Sequence, residues 1–229
     1  MCKVRQIYKS SKNSCQGSCM IKNIIFDFDG VILDSIPVKT EAFRKLFEEY
    51  PKNKVQKLIE YHLVNGGKSR YLKIKYFFNE ILHQAISENE ILLYANRYSE
   101  LTKEELSKQK YLIGDTMNFI KQNHQKYNLY IASGADENDL KYICDSLNLN
   151  QYFLSINGSP KVKSEIVKNI LEESTYKREE TILIGDSIND YEAANNNNIE
   201  FYGFNNKSIK NKFKYVHSYE SFKLITKGK

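Results

Sequence analysis

A chain of 229 residues, 41 % hydrophobic and 27 % charged, has room for one large domain or for a core with a smaller second domain, and its composition is that of an ordinary globular protein. The net charge of +6 is scattered along the chain and forms no basic stripe on one helix, which argues against a nucleic-acid partner. No apolar run approaches the ~18 residues of a membrane span, and the basic N-terminus has no apolar centre, so a cytoplasmic location without a membrane partner is expected.

Residues 1–20 are polar, rich in Ser, Lys and Asn, and carry no sustained period; they are expected to be a flexible extension outside the fold. Cys15 and Cys19 have no second pair at zinc-like spacing, so they and Cys2 are expected to be reduced and unpaired. From residue 21 onward strands and helices alternate. Ile24–Phe28 predicts a strand. Phe43, Leu46, Phe47 and Tyr50 recur at helical spacing, as do Val55, Leu58, Ile59, His62 and Leu63. A further helix is predicted from about Ser69 to Leu82. Ser87 and Glu90 have the spacing of a capping box, opening a helix through Ile91, Leu92, Ala95 and Tyr98.

After Gly114 the pattern changes. A helix at 115–126 leads to a strand at Leu129–Ala132, a turn at Ser133-Gly134, and a helix from about Asp136 to Leu147 with Cys144 on its apolar side. A short strand near Phe153–Ile156 precedes a helix at 164–173. Strand Thr181–Ile184, the turn Gly185-Asp186-Ser187, a short helix and strand Glu200–Gly203 follow. The Asn195–Asn198 run is expected to end that helix, because Asn tolerates the left-handed conformation of a C-terminal cap. Strands separated by helices in this way predict an α/β fold with a doubly wound parallel sheet. The helical stretch 38–107 is too long for one crossover and is expected to be a separate helical cap. It would be inserted after the first strand into a core built from 21–37 and 108–229.

In an open parallel sheet the ligand site lies beyond the carboxyl ends of the strands. Polar residues collect there: Asp27 and Asp29, Ser133, a lysine after the 153–156 strand, and Asp186 with Asp190. Asp27 and Asp29, two apart on a strand, are expected to point to the same side. Two buried carboxylates repel and lose hydration, so a cation is needed; Asp27, Asp29 and Asp186 would suit Mg²⁺. A carboxylate beside a bound phosphate can attack phosphorus, and a second one can protonate the leaving oxygen and then deprotonate water. Ser133 and a lysine would hold the phosphoryl oxygens.

The stretches FDFDGVILDS, IASG, GSPKVK and IGDSIND resemble, in order, the four motifs of the haloacid-dehalogenase-like hydrolases. The resemblance implies Asp27 as nucleophile and Asp29 as general acid/base. It implies Mg²⁺ held by Asp27, the backbone carbonyl of Asp29 and Asp186, with Asp190 just behind them. Ser133 and Gly134 would bind phosphate, and Lys163, or Lys161 two residues earlier, would be the motif lysine. The expected activity is a phosphatase acting on a small phosphorylated metabolite, by a monomer or homodimer. A phosphosugar mutase of the β-phosphoglucomutase kind is the alternative, followed by a non-catalytic binding module on the same fold. In the cap, Gly66-Gly67 breaks the helical pattern just before Lys68-Ser69-Arg70. Arg70 is there either a reader of substrate hydroxyls or of a second anion, or a surface arginine on a solvated loop.

Overall fold

The computed structural model describes residues 20–173 and 177–222, so all of the expected N-terminal extension but Met20, with Cys2, Cys15 and Cys19, lies outside it. The strands are β1 (Asn23–Phe26), β2 (Asn128–Asp136), β3 (Ser155–Ser159), β4 (Thr181–Gly185), β5 (Glu200–Phe204) and β6 (Lys214–Val216). They form one parallel sheet in the order β3-β2-β1-β4-β5-β6. The helices are α1 (Ile36–Leu46), α2 (Lys52–Val64), α3 (Arg70–Tyr76), α4 (Glu88–Leu106), α5 (Gly114–Asn123), α6 (Glu137–Ser146), α7 (Lys163–Glu173) and α8 (Ile188–Asn196).

The central strands are apolar throughout because both faces of the sheet are covered. Ile24, Phe26, Ile131 and Ile184 pack on one side with Met117 and Ile120 of α5 and Leu140 and Ile143 of α6; Cys144 is buried in the same cluster. Ile25, Ala132 and Leu183 point to the other side, onto Val167 and Ile170 of α7 and Ala193 and Ala194 of α8. Helices α1–α4 have an apolar cluster of their own, rich in rings, in which Phe47 lies 4.3 Å from Phe77 and 5.2 Å from Tyr94. No helix of the described residues is long and apolar enough to cross a membrane.

Several boundaries differ from the sequence expectation. β1 stops at Phe26, two residues early, because the chain turns at Asp29-Gly30, where Gly30 has φ 78°. β2 runs through the expected Ser133-Gly134 turn to Asp136, absorbing the irregularity as a register shift against β3. β3 starts at Ser155, since Asn150–Tyr152 forms a short 3₁₀ turn ahead of it. The helix expected over Ser69–Leu82 is α3 followed by a π-helical turn at Phe77–Leu82 that ends on His83 in the left-handed region. The capping box at Ser87 and Glu90 is formed, and Asn198 has φ 55° just past α8. β6 was not expected: three residues are too few to show a period.

Candidate active site

Asp27 is the first residue beyond β1, its N–H still bonded to the Ile184 carbonyl of β4 at 2.9 Å, and it is 2 % exposed. Lys163 opens α7 and brings its ammonium 2.8 Å from Asp27 Oδ1 while also bonding Asp190. Asp190 sits in the first turn of α8, where a carboxylate favours the helix start. Its Oδ2 accepts from the Ser187 N–H (2.9 Å), the Ser187 hydroxyl (2.7 Å) and the Asp186 N–H (3.1 Å). Asp190 is thus held on both oxygens, and it ties α7 and α8 to the turn after β4. Burial pushes Asp27 up to about 7, the Asp190 charge adds to this, and Lys163 pulls it back. Burial works against the Lys163 charge, but Asp190 and Asp27 hold its pKa above the ordinary lysine value. Lys161 is exposed, so Lys163 is the lysine that reaches the carboxylates.

Asp27, Asp186 and Asp190 each offer an oxygen within 4.8 Å of the others, and Asp29 is not among them. The sequence expectation also put Asp29 in the metal site, and the ligand the resemblance implies there is its backbone carbonyl. Its carboxylate stands outside this cluster because the strand ends before Asp29, so the alternation that would have aligned it with Asp27 is lost. Asp186 is pushed well above the carboxylate range, first by burial and then by the Asp27 charge. Its carboxylate accepts no hydrogen bond among the described residues, whereas its carbonyl is held by Asn206 Nδ2 at 2.7 Å. A Cβ at position 30 would lie 2.1 Å from Asp186 Oδ2, so glycine there opens the space the carboxylate occupies. With Asp190 saturated, Asp27 and Asp186 are the carboxylates left for a cation. Two carboxylates beside a phosphate site suit a hard divalent ion such as Mg²⁺.

Asp29 is held from the side of α1. Its Oδ1 accepts from the Ser35 hydroxyl at 2.5 Å and its Oδ2 from Lys39 Nζ of α1 at 2.6 Å. Burial would raise its pKa, but the Lys39 ammonium and the Ser35 hydroxyl outweigh that and hold it below the usual value. Ser133 is fully buried and its hydroxyl accepts from the Ala135 N–H at 3.1 Å.

The helical block lies directly on these strand ends. A Cβ at Gly134 would lie 2.2 Å from the Gly67 carbonyl oxygen. Arg70 is neither a solvated surface arginine nor a free fork: Nη1 binds Asp139 Oδ2 at 2.5 Å and Nη2 lies 3.3 Å from Asp136 Oδ2, with its side chain 8 % exposed. Tyr71 also bonds Asp136 (2.5 Å) and Ser99 bonds Asp139 (2.7 Å), so α3 and α4 are both fastened to the start of α6. Gly134→Ala is therefore expected to lift the helical block. Overpacking of this kind costs about 1–3 kcal/mol of stability, so the melting temperature should fall, and kcat/KM should fall with it as the helical block shifts on the strand ends. Steady-state kinetics beside calorimetry would check it, and an unaltered kcat/KM would show that turnover does not need this contact.

Sequence reading missed Ser35 and Lys39 as partners of Asp29, and Asn206 as support for Asp186. The Pro37 start of α1 was a usable signal for the first two, since it places Ser35 and Lys39 on successive turns. Nothing local marks Asn206, which meets Asp186 only through the β4–β5 pairing.

Solved structures similar over most of the chain include a haloacid dehalogenase-like family hydrolase from Streptococcus pneumoniae (20 % identity, TM-score 0.64, covering 86 % of this chain and 93 % of that one). A β-phosphoglucomutase from Clostridium difficile aligns at 20 % identity and TM-score 0.72, covering 89 % and 94 %. A predicted phosphoglycolate phosphatase from Haemophilus somnus aligns at 15 % and 0.66, covering 87 % and 95 %. At these identities the likeness is one of fold. A comparison with curated proteins finds no match. Residues 24–204, from β1 through β5, match the family model of the haloacid dehalogenase-like hydrolases, and the chain belongs to that family.

Proposed function

We propose that this protein is a magnesium-dependent phosphatase that hydrolyses a small phosphate monoester, a sugar phosphate or related metabolite, through a phosphoryl group carried on Asp27. One observation carries the reading. A single buried ammonium, Lys163, joins Asp27 and Asp190 at the carboxyl end of the central strands, while Asp186 has no ion pair among the described residues and is pushed well above the carboxylate range by burial. Buried carboxylates arranged at such a cost are characteristic of sites that do chemistry.

An Asp27 oxygen attacks phosphorus as the bond to the ester oxygen breaks, and Asp29 gives the departing alkoxide a proton. Asp29 then takes a proton from water, whose oxygen attacks phosphorus, and the bond to Asp27 breaks to release inorganic phosphate. Lys163 holds Asp27 in place, and Ser133 and Gly134 bind the phosphoryl oxygens. Bound Mg²⁺ supplies positive charge to offset the two carboxylates and the phosphoryl oxygens. The test is release of p-nitrophenol from p-nitrophenyl phosphate with and without Mg²⁺. Turnover that stops on chelation, returns with Mg²⁺ and is poorly supported by Ca²⁺ is expected; absence of turnover with Mg²⁺ would turn the reading toward a binding module.

The mutase reading draws on the closeness of the helical block to the strand ends, where Gly67 packs against Gly134. Conversion of β-glucose 1-phosphate without phosphate release would favour it.

A further inference from the structure

Lys73 of α3 is 3 % exposed, yet both partners of its ammonium are neutral: His62 Nδ1 at 3.0 Å and the Gly66 carbonyl at 3.3 Å. No ion pair of Lys73 is found among the described residues. Burial and then the Lys39 charge lower the Lys73 pKa to about 7, with Asp29, Asp186 and Asp27 pulling it back from beyond ion-pair distance. An anion set against it would restore the full charge, whereas two neutral acceptors would be served as well by an uncharged amide. His62 is 4 % exposed. Burial and the Lys73 charge push it down to about 3, so the ring is neutral. Because Nδ1 accepts from Lys73, the ring proton lies on Nε2, and that atom is buried without a partner.

Lys73 and His62 line, together with Asp29 and Asp186, a cavity of about 60 Å³ between the helical block and the strand ends. That is room for roughly four to six water-sized groups. Of the other cations on this wall, Lys39 is engaged on Asp29 and the terminal nitrogens of Arg70 on Asp136 and Asp139, while Lys68 reaches the Tyr61 hydroxyl at 3.3 Å and lies over the Tyr61 ring.

We infer that Lys73 and His62 form an anion-reading wall, specific for a compact second negative group of carboxylate size on the substrate whose phosphoryl group sits at Asp27. The substrate class is then a phosphorylated hydroxy acid of short carbon chain. A carboxylate fills less of this cavity than a second phosphoryl group with the carbons that would carry it. This rests on the phosphatase reading for where the phosphoryl group lies.

The test compares two esters of one skeleton, 2-phosphoglycerate and glycerol 2-phosphate, which differ only by a carboxylate in place of a hydroxymethyl group. The wild-type chain is expected to prefer the carboxylated ester by about 10- to 100-fold in kcat/KM, the usual worth of a hydrogen bond to a charged group. Lys73→Met should bring that ratio close to one. Calorimetric binding of the same two esters to Asp27→Asn, with and without Lys73→Met, reads the preference without turnover. No preference in the wild type, a preference that survives Lys73→Met, or an equal loss for both esters would overturn the inference. The last of these is the signature of a lysine that only braces α2 against α3. Should Lys73→Met not fold, Lys73→Gln replaces it, and the wild-type ratio alone still decides. Preferential binding lost with Lys73, in a chain that releases no phosphate from either ester, would uphold the wall and sink the hydrolytic reading instead.

Discussion

Asp27→Asn is expected to abolish phosphate release while leaving the fold intact. An amide has nearly the shape of the carboxyl group it replaces, but its oxygen does not attack phosphorus, so the loss should be at least about 10³-fold in kcat. Stability should not fall with it. The raised pKa of Asp27, brought about chiefly by burial, means that its ionised form is less favourable in the folded chain than in the unfolded one. Removing that charge also relieves Asp186, whose own pKa is raised by burial and then by Asp27. Lys163 keeps Asp190 as its counter-ion, so no buried ammonium is stranded. The melting temperature measured without Mg²⁺ should therefore stay level or rise. Phosphate release above a tenth of wild type would take the nucleophile role away from Asp27. Loss of activity together with a marked fall in melting temperature would assign Asp27 to holding Lys163.

The parts of this arrangement that were legible in the sequence are those fixed by strand ends. Asp27 and Asp186 stand where an apolar run meets a polar residue and a glycine, and in a parallel sheet such ends converge because adjacent strands run in register: Phe26 lies beside both Ile131 and Ile184. Lys163 was legible as one of two lysines, and burial separates it from Lys161. What the sequence hid depends on directions that a period does not specify. Asp29 follows the end of β1, and only the turn at Gly30 shows that it faces α1. Arg70 looked solvent-bound or substrate-bound because its partners lie in α6, far along the chain from α3; no local pattern links Arg70 to Asp136 and Asp139. The Lys73–His62 pair was hidden for the opposite reason. His62 fits an apolar helical stripe, and a lysine in a short amphipathic helix is ordinarily solvated.

Asp29→Asn is expected to slow hydrolysis of alkyl phosphates by about 10²–10⁴-fold, the span associated with a positioned general acid or base. In the arrangement seen here Asp29 is in its base form, because Lys39 donates to Oδ2 and Ser35 to Oδ1. That state suits the second half of the reaction, where a proton is taken from water. Acting first as an acid requires a proton on one of those oxygens, which displaces the hydrogen bond now made there. Asparagine keeps one acceptor oxygen for Lys39 or Ser35, so α1 should remain docked and the melting temperature should drop by little. The effect should depend on the leaving group. An alkoxide needs a proton as it departs, whereas p-nitrophenolate is stable without one, so the aryl ester should lose less rate in its first step. A rate loss of equal size for alkyl and aryl esters, with a lowered melting temperature, would mean that Asp29 serves to anchor Lys39 and α1. A loss larger for the alkyl esters than for the aryl ester, with the fold unperturbed, would place the proton on Asp29 at the moment the ester bond breaks.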